Sequence, residues 1–321
     1  MPADSEEGQL SRQLPTVSVI VATRGRPQEL RQAIQSVLAQ TFQEFEIVVV
    51  VDGPDRATET VLRAIDADRL RVVVLSAPSG SGAARNAGIE AATGSWIALL
   101  DDDDLWLPQK LARQLETIAA SGVEQAIGFC ARFVRTEQGD VAWRDRAPAP
   151  GEHPSDYMFV RRSLRLGEST VSTSTIVARR SLFLAVPFDP ALARYQDADW
   201  VLRAADAGAR LVYCPERLAI WRAPRGNESI TGAHATDWRG ALRWIRARRG
   251  LVTRRAYGAF ILVRVAALAA ARGERRAVPL LWREAWAEGR PGPLDVLMFV
   301  GRWIVPGGFR RVLRSRLATD G

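Results

Sequence analysis

Several residue types are scarce in this chain of 321 residues. It has two cysteines, Cys130 and Cys214, too few for a disulfide framework and without partners at metal-ligand spacing. Its two histidines, His153 and His234, argue against a zinc site. Lys110 is the only lysine, and it does not follow a glycine-rich loop, which excludes a phosphate-binding loop of the Walker type.

Acidic residues are scarce in the last quarter of the chain. Residues 239–321 contain 18 arginines and five acidic residues, whereas residues 1–238 carry a net charge of −5. The overall charge of +8 alone would suggest a nucleic-acid-binding protein. The acidic first 238 residues and the lack of a recognised binding module speak against that interpretation, so we expect no nucleic-acid partner.

No apolar run reaches the roughly 20 residues that a membrane-spanning helix needs. The runs at 256–271 and 293–305 are 16 and 13 residues long, and both contain arginine. Together with Trp282, Trp286 and Trp303, they are typical of helices that lie on an anionic membrane surface. The alternative is an amphipathic helical extension that packs on the rest of the protein.

Apolar segments alternate with helical patterns over the first 122 residues. Strands are predicted at 17–22, 45–51, 71–75 and 96–100, and helices at 27–40, 57–65, 83–92 and 108–120. Strands that are apolar throughout and alternate with helices predict an α/β fold with a mostly parallel sheet covered on both faces. Such sheets bind ligands beyond the carboxyl ends of their strands, where Thr23, Asp52 and Asp101 would lie.

The alternation weakens after Gly122. We predict strands at 125–134, 169–177 and 210–214, helices at 179–185 and 196–207, and a loop region over 135–166.

Four consecutive carboxylates, Asp101 to Asp104, directly follow the strand at 96–100. Hard cations such as Mg²⁺ or Mn²⁺ prefer carboxylate oxygens and are often shared with a phosphate. An acidic turn that caps the next helix is the alternative. The glycines at 80–82 do not form a dinucleotide fingerprint, because Arg85 stands at the third glycine position and the stretch follows the third strand.

Residues 16–122 resemble the nucleotide-binding half of family 2 glycosyltransferases, which have the Rossmann-like GT-A fold. The matching segments are residues 17–23 with Arg26, 33–41, 46–53, 84–89 and 100–104. The resemblance implies a nucleotide-sugar donor site in which Thr23 and Asp52 contact the base and ribose. Arg26, Arg85, Asp101 and Asp102 belong to the same donor site. Asp101 and Asp103 match the Asp-x-Asp motif, whose second acid is usually the direct ligand of Mn²⁺ or Mg²⁺.

The second half of the chain resembles the acceptor side of the same family. Residues 195–203 match its Glu-Asp motif, with Gln196 in place of the glutamate, so the catalytic base falls on Asp197. Asp199 is the fallback, and capping of the helix is the alternative role for either acid. Many members have a histidine near residue 223, which this chain lacks. Arg222 or Arg225 is a secondary hypothesis for binding the diphosphate.

The resemblance implies an inverting, metal-dependent glycosyltransferase that uses a nucleoside-diphosphate sugar, most often a UDP-sugar. We expect a saccharide or lipid-linked acceptor, as in the synthesis of surface polysaccharide. A sugar nucleotidyltransferase and a non-catalytic scaffold related to glycosyltransferases are the alternatives. The predicted organisation is a flexible N-terminus (1–14), a donor half (15–122), an acceptor half (123–235) and a basic helical extension (236–321). Because residues 1–14 lack the apolar core of a signal peptide, we expect a cytoplasmic protein on the inner face of the membrane.

Overall fold

The first half of the chain forms a parallel sheet flanked by helices. A computed structural model describes residues 16–65, 68–164, 169–222 and 237–304. Its four strands are β1 (Val17–Thr23), β2 (Phe45–Val51), β3 (Leu70–Val74) and β4 (Trp96–Asp101). They are parallel and lie in the order β3-β2-β1-β4. The helices are α1 (Pro27–Leu38), α2 (Arg56–Arg63), α3 (Ser81–Ala91) and α4 (Lys110–Ser121).

The register of these strands brings their carboxyl ends together. Thr23 pairs with Val51 of β2, and Ala22 pairs with Asp101 of β4. The apolar residues of β1, β2 and β4 are buried on both faces, as expected for central parallel strands. Polar residues that directly follow such strands, such as Asp52, are therefore delivered to one edge of the sheet.

The second half extends the same sheet with mixed pairing. Its strands are β5 (Leu105–Trp106), β6 (Ala126–Thr136), β7 (Gly139–Ala142), β8 (Val177–Arg179) and β9 (Arg210–Arg222). Beyond β4 the order continues β8-β6-β9-β5, with β7 paired to β6. Among these added pairings of the described strands, β6 and β9 run parallel and the others are antiparallel. The helices are α5 (Pro154–Phe159), α6 (Arg180–Ala185) and α7 (Gln196–Asp206).

Two predictions for this half were wrong. The segment 169–177, predicted as a strand, contains a 3₁₀ turn, Thr173–Thr175, and pairing begins only at Val177. The segment predicted as a loop, 135–166, contains β7 and α5.

The C-terminal region is helical and packs on the sheet domain. Residues 254–271 form one helical stretch whose middle, Phe260–Val265, is a π-helix. Its apolar side chains are buried in the core. This segment is therefore an amphipathic helical extension that packs on the rest of the protein, as in the alternative to a membrane-surface helix. The elements are α8 (Trp238–Ala247), α9 (Arg254–Ala259), α10 (Ala266–Ala271), α11 (Val278–Ala287) and α12 (Pro293–Ile304).

One cluster of buried apolar side chains runs from the sheet into the C-terminal helices. It contains Phe129 of β6, Trp200 of α7 and Phe260 of the π-helix. Helices α11 and α12 instead expose large apolar side chains, which include Trp282 and Trp286. Among the described residues, no helix combines the length and apolarity that crossing a bilayer requires.

Candidate functional site

The four consecutive aspartates point in different directions at the end of β4. The side chains of Asp101 and Asp103 are about one third exposed, at 33% and 38%. Asp102 and Asp104 are buried. The first and third carboxylates are therefore accessible to a ligand, whereas the second and fourth are enclosed by the protein.

The buried Asp102 connects β4 to the loop after β1. Thr23 Oγ1 donates to Asp102 Oδ2 at 2.7 Å, and Arg26 Nη1 donates to Asp102 Oδ1 at 3.1 Å. Burial raises the pKa of Asp102 to about 6, against the opposing effects of Thr23 and Arg26. Arg26 Nη1 also donates to Asp103 Oδ2 at 2.6 Å. Three predicted donor-site residues, Thr23, Arg26 and Asp102, therefore form one network beside Asp103.

Asp104 holds the acceptor half against the end of β4. It accepts from Ser174 Oγ at 2.5 Å and from the backbone N–H of Arg222 at 3.0 Å. Burial and the charge of Asp101 raise its pKa well above the ordinary value. Asp104 belongs to a conspicuous acidic run, but its contacts are not predictable from local sequence, because its partners lie 70 and 118 residues away.

Arg85 lies between the donor and acceptor halves. It belongs to α3 and is only 8% exposed. Its Nη2 donates to Asp101 Oδ1 at 2.7 Å, and its Nη1 donates to Gln196 Oε1 at 2.5 Å. Burial opposes its charge, but the carboxylates of Asp101 and Asp197 raise its pKa overall. One arginine therefore links the Asp-x-Asp motif to the first turn of α7.

Asp52 organises the glycine-containing loop before α3. Its two carboxylate oxygens accept from the backbone N–H groups of Ser79 at 2.6 Å and Gly80 at 3.0 Å. Gly80 has a φ of 89°, which a residue with a side chain rarely adopts. Ser81 Oγ then donates to Gln196 Oε1 at 2.9 Å. The loop is thus held at the same edge of the sheet.

Asp197 is partly exposed in the first turn of α7. The N–H of Thr173 donates to Asp197 Oδ2 at 3.2 Å, and the Thr173 hydroxyl donates to Oδ1. Burial raises the pKa of Asp197, while the charge of Arg85 lowers it and that of Asp101 raises it. A carboxylate with a raised pKa in reach of solvent is suited to accept a proton.

Asp199 has a different environment from Asp197. It is fully buried, and its oxygens accept from Arg203 Nε, Arg248 Nε and Trp244 Nε1. These partners lie on α7 itself and on the segment that follows residue 237. The contacts favour Asp197 over Asp199 as the base.

The structure describes one of the two secondary candidates for binding the diphosphate, Arg222. Arg222 is half-buried at the end of β9, and its guanidinium donates to the side chain of Gln32. Burial and the charge of Arg135 lower its pKa. Arg225 lies outside the described residues.

The donor set at the end of β4 fits a hard divalent cation. Asp101 and Asp103 present carboxylate oxygens at a partly exposed edge, and Mg²⁺ commonly takes one or two carboxylates, completed by substrate phosphates and water. Among the residues that the structure describes, no group of three or more histidine, cysteine, aspartate or glutamate side chains converges to enclose a metal.

Residues 18–185 match the family model described as Glycosyl transferase family 2. The chain is 31% identical over 227 residues to the uncharacterized glycosyltransferase alr2836 of Nostoc sp., covering 69% of each chain. It is 41% identical over 114 residues to the succinoglycan biosynthesis protein ExoO of Rhizobium meliloti, covering 36% of this chain and 33% of ExoO. The chain thus spans about a third of ExoO and about two thirds of alr2836.

Solved structures share the fold at low sequence identity. S. aureus TarS 1–349 in complex with UDP-GlcNAc superposes with a TM-score of 0.56 at 18% identity, covering 92% of each chain. The mannosyltransferase PcManGT from Pyrobaculum calidifontis, in complex with GDP-Man and Mn²⁺, gives a TM-score of 0.57 at 16% identity, covering 96% of this chain and 85% of that one. These similarities confirm the predicted GT-A fold.

Proposed function

Since the chain belongs to glycosyl transferase family 2, we propose that it is an inverting glycosyltransferase that transfers a sugar from a UDP-sugar to a hydroxyl of a saccharide or lipid-linked acceptor. The observation that carries this proposal is the position of Arg85, which donates to Asp101 on the donor side and to Gln196, next to Asp197, on the acceptor side. A donor and an acceptor bound on either side of Arg85 would meet at one edge of the sheet.

The donor would lie across the carboxyl ends of β1, β2 and β4. Asp52 and Thr23 are held in place at this edge by the contacts described above, so the surface for the base and ribose is preorganised. The complexes of TarS with UDP-GlcNAc and of PcManGT with GDP-Man, two neighbours with this fold, support a nucleotide-sugar donor.

Asp103, with Asp101, would hold Mn²⁺ or Mg²⁺. Such a cation supplies charge neutralisation for the leaving diphosphate. Arg26 and Arg85, which hold these two carboxylates in the structure, add positive charge at the same edge. The Mn²⁺ in the PcManGT complex supports this assignment.

Asp197 would act as the general base. The acceptor hydroxyl would give its proton to Asp197 and attack the anomeric carbon from the face opposite the diphosphate, so that the configuration inverts in one displacement. The two Thr173 hydrogen bonds fix the orientation of the carboxylate before substrate binds.

Binding and transfer can be tested separately. The full chain is titrated calorimetrically with UDP, GDP, dTDP and CMP, each with and without Mn²⁺, and transfer is then measured with the radiolabelled sugar of the nucleotide that binds. We expect Asp197→Asn to keep donor binding and lose about 10²- to 10⁴-fold in turnover. The matched control is Asp206→Asn, which changes an exposed aspartate on the same helix.

Other outcomes would support the alternatives. Release of pyrophosphate from a nucleoside triphosphate would indicate a sugar nucleotidyltransferase. Nucleotide binding without turnover on any acceptor would indicate a non-catalytic scaffold.

The acceptor and the location are part of the proposal. We infer that the face formed by α11 and α12 contacts the anionic inner surface of the cytoplasmic membrane, where a lipid-linked acceptor would be available. Trp282 and Trp286 are 41% and 47% exposed, and Ile304 is 73% exposed. The sequence after residue 304 adds four arginines. Exposed tryptophans beside arginines are suited to the headgroup region of such a membrane.

A further inference from the structure

The 3₁₀ turn Thr173–Thr175 lies between the acidic run after β4 and the first turn of α7. Each of its three residues is at most 2% exposed. Neighbouring side chains also hold its backbone. Trp106 Nε1 donates to the Ser174 carbonyl at 2.8 Å, and Gln114 Nε2 donates to the Thr175 carbonyl at 2.9 Å. The turn is therefore a fixed part of the core, and its polar groups are satisfied by partners within the protein.

The Ser174 hydroxyl contacts two of the four consecutive aspartates. It donates to Asp104 Oδ2 at 2.5 Å, and its oxygen accepts from the backbone N–H of Asp101 at 3.1 Å. Because a serine hydroxyl has one proton, donation to the Asp104 carboxylate leaves the oxygen lone pairs for the Asp101 amide. The hydroxyl thereby joins the backbone of a proposed cation ligand, Asp101, to the turn.

The preceding residue of the turn, Thr173, contacts the proposed base. Its backbone N–H and its hydroxyl both donate to the carboxylate of Asp197. Thr173 and Ser174 are joined by a single peptide unit, whose planarity limits their relative movement. The path from Asp101 to Asp197 through the turn therefore consists of two hydrogen-bonded links and one peptide unit.

A second path joins the same two aspartates through α3. Arg85 donates to Asp101 Oδ1 at 2.7 Å and to Gln196 Oε1 at 2.5 Å. Gln196 directly precedes Asp197 in the chain. The two paths together form a closed ring whose members, in order, are Asp101, Arg85, Gln196, Asp197, Thr173 and Ser174. Since one link of a closed ring cannot lengthen unless the others adjust, the separation of the two aspartates is constrained from both sides.

We propose that Ser174 is a positioning residue that sets the separation between the cation ligand Asp101 and the base Asp197. This inference rests on the proposed function, since it concerns the geometry of the same site. The leaving diphosphate would lie on the Asp101 side of the ring and the acceptor hydroxyl at Asp197. A misplacement of about 1 Å between reacting groups lowers a rate about 10²-fold. Ser174 itself acts through Asp101 and Thr173 and does not contact the substrates.

The first test measures how well an acceptor competes with water for the donor sugar. The full chain is assayed in Mn²⁺ with UDP-glucose, UDP-galactose or UDP-GlcNAc as the donor and octyl glucoside as the acceptor. Ser174→Ala should lower the ratio of transfer to donor hydrolysis about tenfold. A water molecule can follow a displaced base, whereas the hydroxyl of an acceptor bound elsewhere in the site cannot. A loss of folded protein lowers both rates equally and leaves the ratio unchanged.

The matched control for this ratio is Thr175→Val. It removes a hydroxyl from the same buried turn, but this hydroxyl donates to the Ser172 carbonyl and to no aspartate. The ratio should therefore stay at the wild-type value. Ser174→Cys keeps a weak S–H donor at the position, so its ratio should lie between those of the wild type and Ser174→Ala.

The second test does not depend on catalysis. Hydrogen–deuterium exchange followed by mass spectrometry measures local opening of the first turn of α7, where the N–H of Asp199 donates to the Tyr195 carbonyl. Ser174→Ala should raise exchange in this turn about tenfold, because the link from the acidic run to Asp197 is broken. Thr175→Val should leave exchange there unchanged, and α1 serves as the internal reference in both variants.

An equal fall of transfer and hydrolysis in Ser174→Ala would show a merely structural role and overturn the proposal, as would unchanged exchange in α7. If Ser174→Ala does not fold, Ser174→Cys takes its place in both tests; a lower ratio than in the wild type supports the proposal, and an equal ratio overturns it. If the wild type transfers no sugar, the proposed function fails, and the exchange measurement alone decides the role of Ser174.

Discussion

Arg248 Nε donates a 2.6 Å hydrogen bond to Asp199 Oδ1 and thereby joins α7 to the segment after residue 237. Trp244 Nε1 donates to the same oxygen at 3.1 Å, and Arg203 Nε donates to Oδ2 at 2.7 Å. Asp199 is fully buried, so these donors replace all of the water that its carboxylate would otherwise bind. The helix that carries Asp197 therefore depends on the C-terminal helices for its position.

Asp199→Asn should destabilise the protein more than any exposed acid on the same helix. Removing the buried charge takes its carboxylate partner from Arg203 and leaves Arg248 with only the longer ion pair to Asp189 at 3.2 Å. We expect a loss of about 3 kcal/mol in the free energy of unfolding. The measurement is urea denaturation followed by circular dichroism. Asp206→Asn, at an exposed position of α7, should change the free energy by less than about 0.5 kcal/mol. Equal stability of the two variants would contradict the structural role of Asp199.

The acidic limb of the pH–rate profile should lie at a higher pH than the pKa of an ordinary aspartate would give. The base must be ionised, and burial raises the pKa of Asp197, so activity should fall at a higher pH than for an exposed carboxylate. Thr173→Val removes a hydrogen bond that stabilises the ionised form, and its loss should raise the pKa further. We therefore expect the limb of kcat/KM to move to higher pH in this variant. Thr175→Val, whose hydroxyl donates to a backbone carbonyl, should leave the limb in place.

Asp103→Asn should remove most of the metal dependence of nucleotide binding. A neutral amide oxygen is a poorer ligand for Mg²⁺ or Mn²⁺ than a carboxylate, so the gain in UDP affinity that Mn²⁺ gives the wild type should shrink about tenfold. Calorimetric titration of UDP with and without Mn²⁺ measures this gain. Asp206→Asn again serves as the control. An undiminished gain in Asp103→Asn would show that the cation is held elsewhere.

Gly88→Ala should destabilise the donor half by overpacking. A Cβ at this position of α3 would lie 2.6 Å from Ile20 Cγ2 and 3.0 Å from Val50 Cγ2, both in the core of the sheet. We expect a loss of about 1–3 kcal/mol in the free energy of unfolding, measured by urea denaturation. Gly301→Ala is the matched control, because a Cβ there meets no neighbour and alanine favours the helix. A Gly88→Ala variant as stable as Gly301→Ala would mean that α3 shifts freely on the sheet.

Replacing both Trp282 and Trp286 by serine should weaken binding to anionic vesicles about tenfold. Each substitution removes an exposed aromatic side chain from the face formed by α11 and α12. The assay is cosedimentation with phosphatidylglycerol vesicles, compared with phosphatidylcholine vesicles. Leu184→Ser removes an exposed apolar side chain of α6 and should have no effect. Failure of the wild type to sediment with either vesicle would refute the membrane face.

The elements of the donor half were predictable because their signals are local. The strands β1, β2 and β4 are apolar runs bounded by polar residues, and each was predicted to within one residue. The motif residues Thr23 and Asp101 are the last residues of β1 and β4, and Asp52 directly follows β2. A parallel register then brings them to one edge without further information.

The acceptor half was less predictable because long-range contacts decide its structure. The segment around Thr173 has the β-branched and polar composition of a strand, but its polar side chains bind distant carboxylates. Ser174 donates to Asp104, and Thr173 donates to Asp197, so the chain turns instead of pairing. The apolar stretch at 256–271 was ambiguous for a related reason, since composition alone does not distinguish a membrane surface from a protein core.

The continuous core that joins α7 to the C-terminal helices also limits which segments can be exchanged between relatives in a chimera. A chimera that takes only the residues after 237 from a relative would have to recreate two contacts with α7 and the residue before it. These are the hydrogen bond from Arg248 to Asp199 and the stacking of Trp244 on Tyr195. Exchange of α7 between relatives therefore requires the C-terminal helices to be exchanged with it. The two segments form one structural unit, although they are separated in the sequence by β9.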